Sequence, residues 1–429
     1  MATVLALLLA GCGGGDNVNP ITPGNFLQEV TSPSMSVADT FAYQPDSPVA
    51  ANLRRCTYAG HATRECTLAE LPFLGQDTND PTRDDIAKRL LVSHTWMGDN
   101  FLELLDTMPN EMRALFRSIT SIVIASDINP AFYRPRTGAI YLDPTYVWLT
   151  TAQAADINAP PDPRLGFGLD LQFVMPWRYT RAGQRLSVSV NAQGLRDVGE
   201  TSTLLAFLLF HELAHAGDFM PPAELAGIDT DDTVLQAIDR ISDRWLSTGM
   251  TDAFPLNSAA LTDAARVSFF GDDASAADLA LSPADVASEF TLDGASQYYS
   301  YSTQFEDFAN LFDTIMMAHH YGYTKEVGIT SRAESGAWND GVVEWAAQDW
   351  FANQSVRPRA LAVVNALYPG DVAAVEALIN ASEANTIDGD GVTTWAEAFN
   401  TGTPSGTGAR SISSTPLRRD DVLASNPVH

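Results

Sequence analysis

The chain has 429 residues, of which 53 are Asp or Glu and 25 are Lys or Arg, for a formal net charge of −28. So acidic a surface repels phosphate backbones and argues against nucleic acid as a partner. Hydrophobic and charged fractions of 45% and 18% are those of a folded protein rather than a disordered chain. No apolar run approaches the roughly 18 residues that a membrane-spanning helix requires, so a polytopic helical membrane protein is not expected. The length exceeds what one ordinary core needs and suggests two subdomains or one elaborated domain.

Residues 3–10 form a short apolar run that leads into Leu9-Ala10-Gly11-Cys12 and three glycines. This resembles a bacterial lipoprotein signal (residues 1–12), although no Lys or Arg precedes the run. The resemblance implies an acylated Cys12 that anchors the protein in a lipid bilayer. Each buried methylene would contribute about 0.8 kcal/mol. The expected location is the cell envelope, on the outer membrane, at its periplasmic face or at the surface. Residues 13–50, richest in Gly, Asn and Pro over 13–25, read as a tether. Beyond Cys12 only Cys56 and Cys66 remain. An even pair ten residues apart in an exported chain suits a disulfide. A zinc site with His61 competes with this reading but lacks a full ligand set.

An α+β subdomain is expected over residues 51–200. Within it the spacing predicts a helix over 82–108, started by Thr82 and Asp85 as a capping box, with Ile86, Leu90, Leu91, Trp96, Met97, Phe101, Leu104 and Leu105 on its apolar face. Residues 119–125 read as a buried strand and Ala139–Leu142 as a second, stopped by Asp143-Pro144. The alternation of Leu186, Val188 and Val190 with serines predicts a third strand. From Ser202 to about Ala381 the periodicity is helical, which places a mostly helical subdomain at 201–380. The tail, 401–429, is rich in Ser, Thr, Gly and Pro and reads as disordered. Strands first and helices after make an α+β arrangement, a small mixed sheet packed on a helical C-terminal part.

The informative segment is Leu204–Asp218, which contains His211-Glu212-Leu213-Ala214-His215. Residues four apart on a helix sit one above the other, so both imidazoles can grip one metal while Glu212 points beside it at a water. A catalytic zinc needs a third protein ligand and an open position. A His six residues after the second is ruled out by Pro221. The remaining solution is an acid on a later helix, and Glu306, in Phe305-Glu-Asp-Phe-Ala-Asn310, lies beside the buried stripe of Phe305, Phe308, Phe312 and Met316. A carboxylate there needs a partner, and zinc would be one. Asp218 is the alternative ligand and otherwise supports His215 from behind.

With these residues the chain resembles gluzincin-type zinc metallopeptidases, over about residues 120–320. The resemblance implies a zincin-like fold, Zn2+ on His211, His215 and Glu306, Glu212 as general base, Asn310 supporting the first His, and a peptide or protein substrate. It also implies a phenol upstream of Glu306 as hydrogen-bond donor to the oxyanion, for which Tyr298 is the choice over Tyr299 and Tyr301. Such families pair substrate with an edge strand, a role Ala139–Leu142 could fill if it is not an ordinary sheet strand. A straight helix would put His319 about 20 Å from Glu306, out of reach of the metal together with His320, and His94 reads as structural. Finally, Asp388, Asp390, the Val392 carbonyl and Glu397, within 381–400, resemble the second half of an EF-hand calcium loop. An Asx/Gly turn explains the same residues. Two rivals to peptide hydrolysis stand beside it: a non-catalytic metal-binding lipoprotein that serves as a binding module, and the same centre acting on a non-peptide bond.

Overall fold

The computed structural model describes residues 39–57, 65–162, 164–334, 336 and 338–399. Cys12 and the signal around it, most of the tether, His61 and the tail 401–429 lie outside the described residues. The architecture is α+β. The first sheet is mixed, with strands β1 (Phe41–Ala42), β2 (Leu90–Val92), β3 (Ser121–Ile124), β4 (Phe132–Arg134) and β5 (Ala139–Leu142) in the order β1-β2-β3-β5-β4. Its three central strands run parallel, and β1 and β4 lie antiparallel at the edges. Parallel strands are covered on both faces and read as continuous apolar runs. Here Leu90, Val92, Ile122, Ile124, Ile140 and Leu142 face the main core, while Leu91, Val123 and Tyr141 face a second cluster. That cluster is closed by helix α1 (Ala50–Thr57), which a disulfide between Cys56 and Cys66 ties down.

The expected helix over 82–108 is two helices with a strand between them. Thr82 and Asp85 do form the capping box, but it starts a helix of only Arg83–Ala87. The chain then leaves as β2 and returns to helix as α2 (Thr95–Leu105). A run of Leu-Leu-Val suits either structure by itself. Pairing with Ile122–Ile124 in the sheet centre decides for strand. Ala139–Leu142 is a strand, but not an edge: β4 folds back along it and takes the edge position.

The second sheet is antiparallel, ordered β11-β10-β9-β7-β8, with β6 also on β9. Its strands are β6 (Phe173–Val174), β7 (Trp177–Arg181), β8 (Gln184–Arg185), β9 (Thr324–Ser331), β10 (Val343–Gln348) and β11 (Asn385–Asp388). Two expectations change here. The strand over 186–190 gives way to extended chain after Arg185. Its burial still alternates, and Leu186 N–H bonds Tyr179 O, but the ladder stops. The helical stretch from Ser202 to Ala381 is broken by β9 and β10, whose charged residues, such as Lys325 and Glu326, hide the strand pattern. Because β7 pairs with β9, the sheet crosses the boundary expected near 200, and both sheets share one core.

The remaining long helices are α3 (Val198–Phe219), α4 (Leu246–Ala253), α5 (Ala259–Phe270), α6 (Pro283–Leu292), α7 (Gln304–Tyr321), α8 (Arg357–Leu367) and α9 (Val372–Ala381). Asp197 caps α3 by accepting from Glu200 N–H, so that helix starts ahead of Ser202. Every residue from Leu204 to Phe219 is buried, as befits a helix surrounded on all sides. α3 packs against α7 through Phe210 on Phe312 and Phe219 on Phe305, with ring centroids 6.2 and 4.6 Å apart. Gly217 admits α8, since a Cβ there would lie 2.4 Å from Leu367 Cδ1. No helix among the described residues is long and apolar enough to cross a membrane.

Candidate metal centre

One turn of α3 separates His211 from His215, so their rings meet edge to face on one side of the helix with centroids 4.8 Å apart. Across from them, Thr303 caps α7 by accepting from Glu306 N–H at 3.1 Å, which fixes Glu306 in the first turn. Glu306 Oε2 lies 3.1 Å from His211 Nε2 and 3.5 Å from His215 Nε2, and the two Nε2 atoms are 3.2 Å apart. Among the described residues these three form the one group of His, Cys, Asp and Glu side chains able to hold a metal ion, with ligand atoms all within 4.8 Å of one another. The group is buried and can bind a metal.

The donor chemistry fits a cation. His211 Nδ1 is 3.0 Å from Asp313 Oδ2, so the ring's proton belongs on Nδ1 and Nε2 turns its lone pair inward. With a cation bound, two imidazole lone pairs and a carboxylate oxygen would face one small space. Burial would lower the His211 pKa, but the bond to Asp313 and the Glu306 carboxylate outweigh it and lift it to about 10. Burial would raise Glu306. The charge at His215 and the bonds to both imidazoles instead hold it far below the usual carboxylate range. Positive charge is thus strongly favoured at this point.

Glu212 is 3% exposed and its carboxyl is pushed up, chiefly by burial, against the pull of both imidazoles. The Tyr133 amide on β4 donates to its carboxylate, while Oε2 has no hydrogen-bond partner among the described residues. The edge strand next to this carboxylate is therefore Phe132–Arg134, not Ala139–Leu142, because β4 pairs along β5 and takes the end position in the sheet.

Two supporting assignments also change, and the alternative ligand falls away. Asn310 does not hold His211: its Nδ2 donates to the Glu306 carbonyl at 2.7 Å and its Oδ1 accepts from Gln297. Asp313, two turns beyond Glu306, takes that place, and its signal was an acid seven residues on along the same buried helix. Tyr298 is turned away, 3.2 Å from Ser268 Oγ and packed on Phe173 and Phe269. Tyr299 instead donates to Glu306 Oε1 at 3.1 Å. The tight turn over Tyr298–Tyr301 sends consecutive side chains in different directions. Asp218 is no ligand: its Oδ1 accepts from Ser247 N–H at 2.7 Å, and burial pushes its carboxyl up to about 7.

Arg164 lies close enough for its charge to act on Tyr299 and Glu306. Burial works against that charge, but hydrogen bonds to Asp162 more than restore it. α7 runs unbroken to its last turn, where His320 stacks on Phe210 at 5.7 Å, away from the metal group with His319. His94 stands at the N-cap position of α2 without a side-chain capping bond, its Nδ1 3.0 Å from Ser93 Oγ.

The calcium expectation fails on geometry. Asp390 accepts from Val392 N–H, Thr393 N–H and Thr393 Oγ1, an Asx turn, and Glu397 accepts from Thr394 N–H and Oγ1. Asp388 ends β11, Val392 is exposed, and these carboxylates do not gather into an ion-binding group. Comparison with family models, with curated proteins and with solved structures finds no match to this chain.

Proposed function

We propose that the chain is a zinc-dependent peptide hydrolase of the gluzincin kind, held at the bacterial cell envelope by lipid on Cys12. The observation that carries the reading is the buried convergence of His211, His215 and Glu306 beside Glu212, one position along the helix from the first ligand. Two imidazoles and one carboxylate suit zinc better than calcium or magnesium, which prefer all-oxygen sites, and a three-residue donor set leaves a position open. Zinc held there would supply Lewis acidity, polarising a scissile carbonyl and acidifying a water. Glu212, raised by burial and held by the Tyr133 amide, is the residue that would accept a proton from such a water and pass it to the leaving amine. Tyr299 is the phenol at the centre.

Burial of all four side chains favours a second reading, a non-catalytic metal-binding module. The unpartnered Glu212 Oε2 and the open position weigh toward catalysis. Elemental analysis together with peptide hydrolysis by the wild type and Glu212→Gln decides. One zinc per chain with activity lost in the variant is expected, and zinc bound without hydrolysis in either protein would overturn the enzyme reading.

A further inference from the structure

Behind His211, on the side away from Glu306, the second sheet supplies a cation. Only two of the 25 basic residues in this chain are lysines. Lys88 pairs with Asp84 and Asp85 near the surface. Lys325, the second residue of β9, is 3% exposed. Its ammonium donates to Thr314 Oγ1 at 3.1 Å, faces Asp313 Oδ1 at 3.3 Å, and lies 4.8 and 5.2 Å from the ring centroids of Trp177 and Tyr179. The Tyr179 hydroxyl donates to the same Oδ1 at 2.5 Å. Tyr179 and Lys325 are direct cross-strand partners on β7 and β9, so the sheet delivers both donors to one oxygen.

The Asp313 carboxylate is fully buried and engaged at both ends, with Oδ1 on the sheet and Oδ2 on His211 Nδ1. Gripped on Oδ1, it has one orientation left, and that orientation sets the tilt of the His211 ring and keeps its proton on Nδ1. A buried charge held so needs a compact counter-charge, and ammonium is more compact than the planar guanidinium fork. We infer that Lys325 is a positioning residue of the metal centre, acting through Asp313 and His211 from the second sheet to set how tightly the divalent cation is held. The inference rests on the metal-binding reading of His211, His215 and Glu306.

The test uses the metal-free full chain as wild type, Lys325→Met and Tyr179→Phe. Zn2+ is titrated against a chromophoric chelator, visible spectra are recorded with Co2+, and thermal unfolding is followed without metal. Wild type should take up one equivalent. Lys325→Met should bind zinc about ten- to a hundredfold more weakly, as loss of an outer support does, with displaced cobalt bands. Tyr179→Phe should move both readouts in the same direction by less. Wild-type affinity and an unchanged cobalt spectrum in Lys325→Met, even with a lower melting temperature, would make Lys325 a purely structural ion pair and overturn the inference. If Lys325→Met does not fold, Tyr179→Phe decides by the same two readouts. A wild-type chain that takes up neither zinc nor cobalt overturns the metal centre itself, and with it this inference.

Discussion

Two regions of the molecule carry residue patterns that invite an ion, and they meet different fates. In the α3–α7 pair, His211, His215 and Glu306 are buried, and their donor atoms face one another. In the Asp388–Glu397 loop, the carboxylates lie at the surface and turn to the nearest backbone N–H and threonine hydroxyls. A surface carboxylate finds local donors at little entropic cost, and short-range Asx and capping geometry absorbs it. A buried one is held by whatever the packing brings opposite, here an imidazole pair. Motif residues become a site where two elements press them together.

The sharpest way to break this comparison is Glu212, the proposed general base. Glu212→Gln should lower peptide hydrolysis about 10²- to 10⁴-fold with zinc content unchanged, measured by initial rates and elemental analysis. Metal content contrasts the two regions directly. His211→Ala or Glu306→Gln should abolish the single bound zinc, whereas Asp390→Asn should leave it intact, and loss of zinc in Asp390→Asn would count against the contrast. Next comes the choice of phenol: Tyr299→Phe should reduce kcat/KM roughly tenfold, the order of a hydrogen bond to a charged group, while Tyr298→Phe should leave it within about twofold.

Smaller effects are thermodynamic. Zinc at a hundred times its Kd should add about 2.7 kcal/mol to stability, read as a chelator-induced fall in Tm that persists in Asp390→Asn and vanishes in His211→Ala. The smallest effect is in pH. Asp390 is held down at about 2 by the N–H groups of Thr393 and Val392, against an ordinary value of 3.8. A depressed carboxylate stabilises the fold above pH 3.8 and loses that contribution as pH falls through about 2, so Asp390→Asn should flatten acid unfolding in that window. Asp218, raised by burial to about 7, has the opposite sign. Its contribution is intact below pH 3.8 and is lost as pH rises through about 7, a slope that Asp218→Asn should remove.

Much of the site was legible in the chain, and the misses share one cause. The pair of imidazoles follows from four-residue spacing on a helix, Glu306 from a polar position on a later buried helix, and the Thr82 cap and β3 from local pattern. Asn310 and Tyr298 follow from spacings that the family resemblance implies, and Ala139–Leu142 from its use of an edge strand, with an ordinary sheet strand as the alternative. Asp313 meets His211, Tyr299 meets Glu306 and β4 takes the sheet edge because a helix repeats every 3.6 residues, a tight turn fans its side chains, and a returning strand can cover its neighbour.

By itself, then, the amino-acid order determined the mixed α+β character, the acidic surface and the two imidazoles with their neighbouring carboxylate. All of these depend on composition or on helix geometry over a few residues. Tertiary structure alone decided which carboxylate steadies His211. It also decided that Lys325, 114 positions beyond His211, stands behind both. The physical reason is that contacts between distant elements arise from burial and pairing, as in the meeting of β7 with β9 and of α3 with α7, and no local periodicity encodes them.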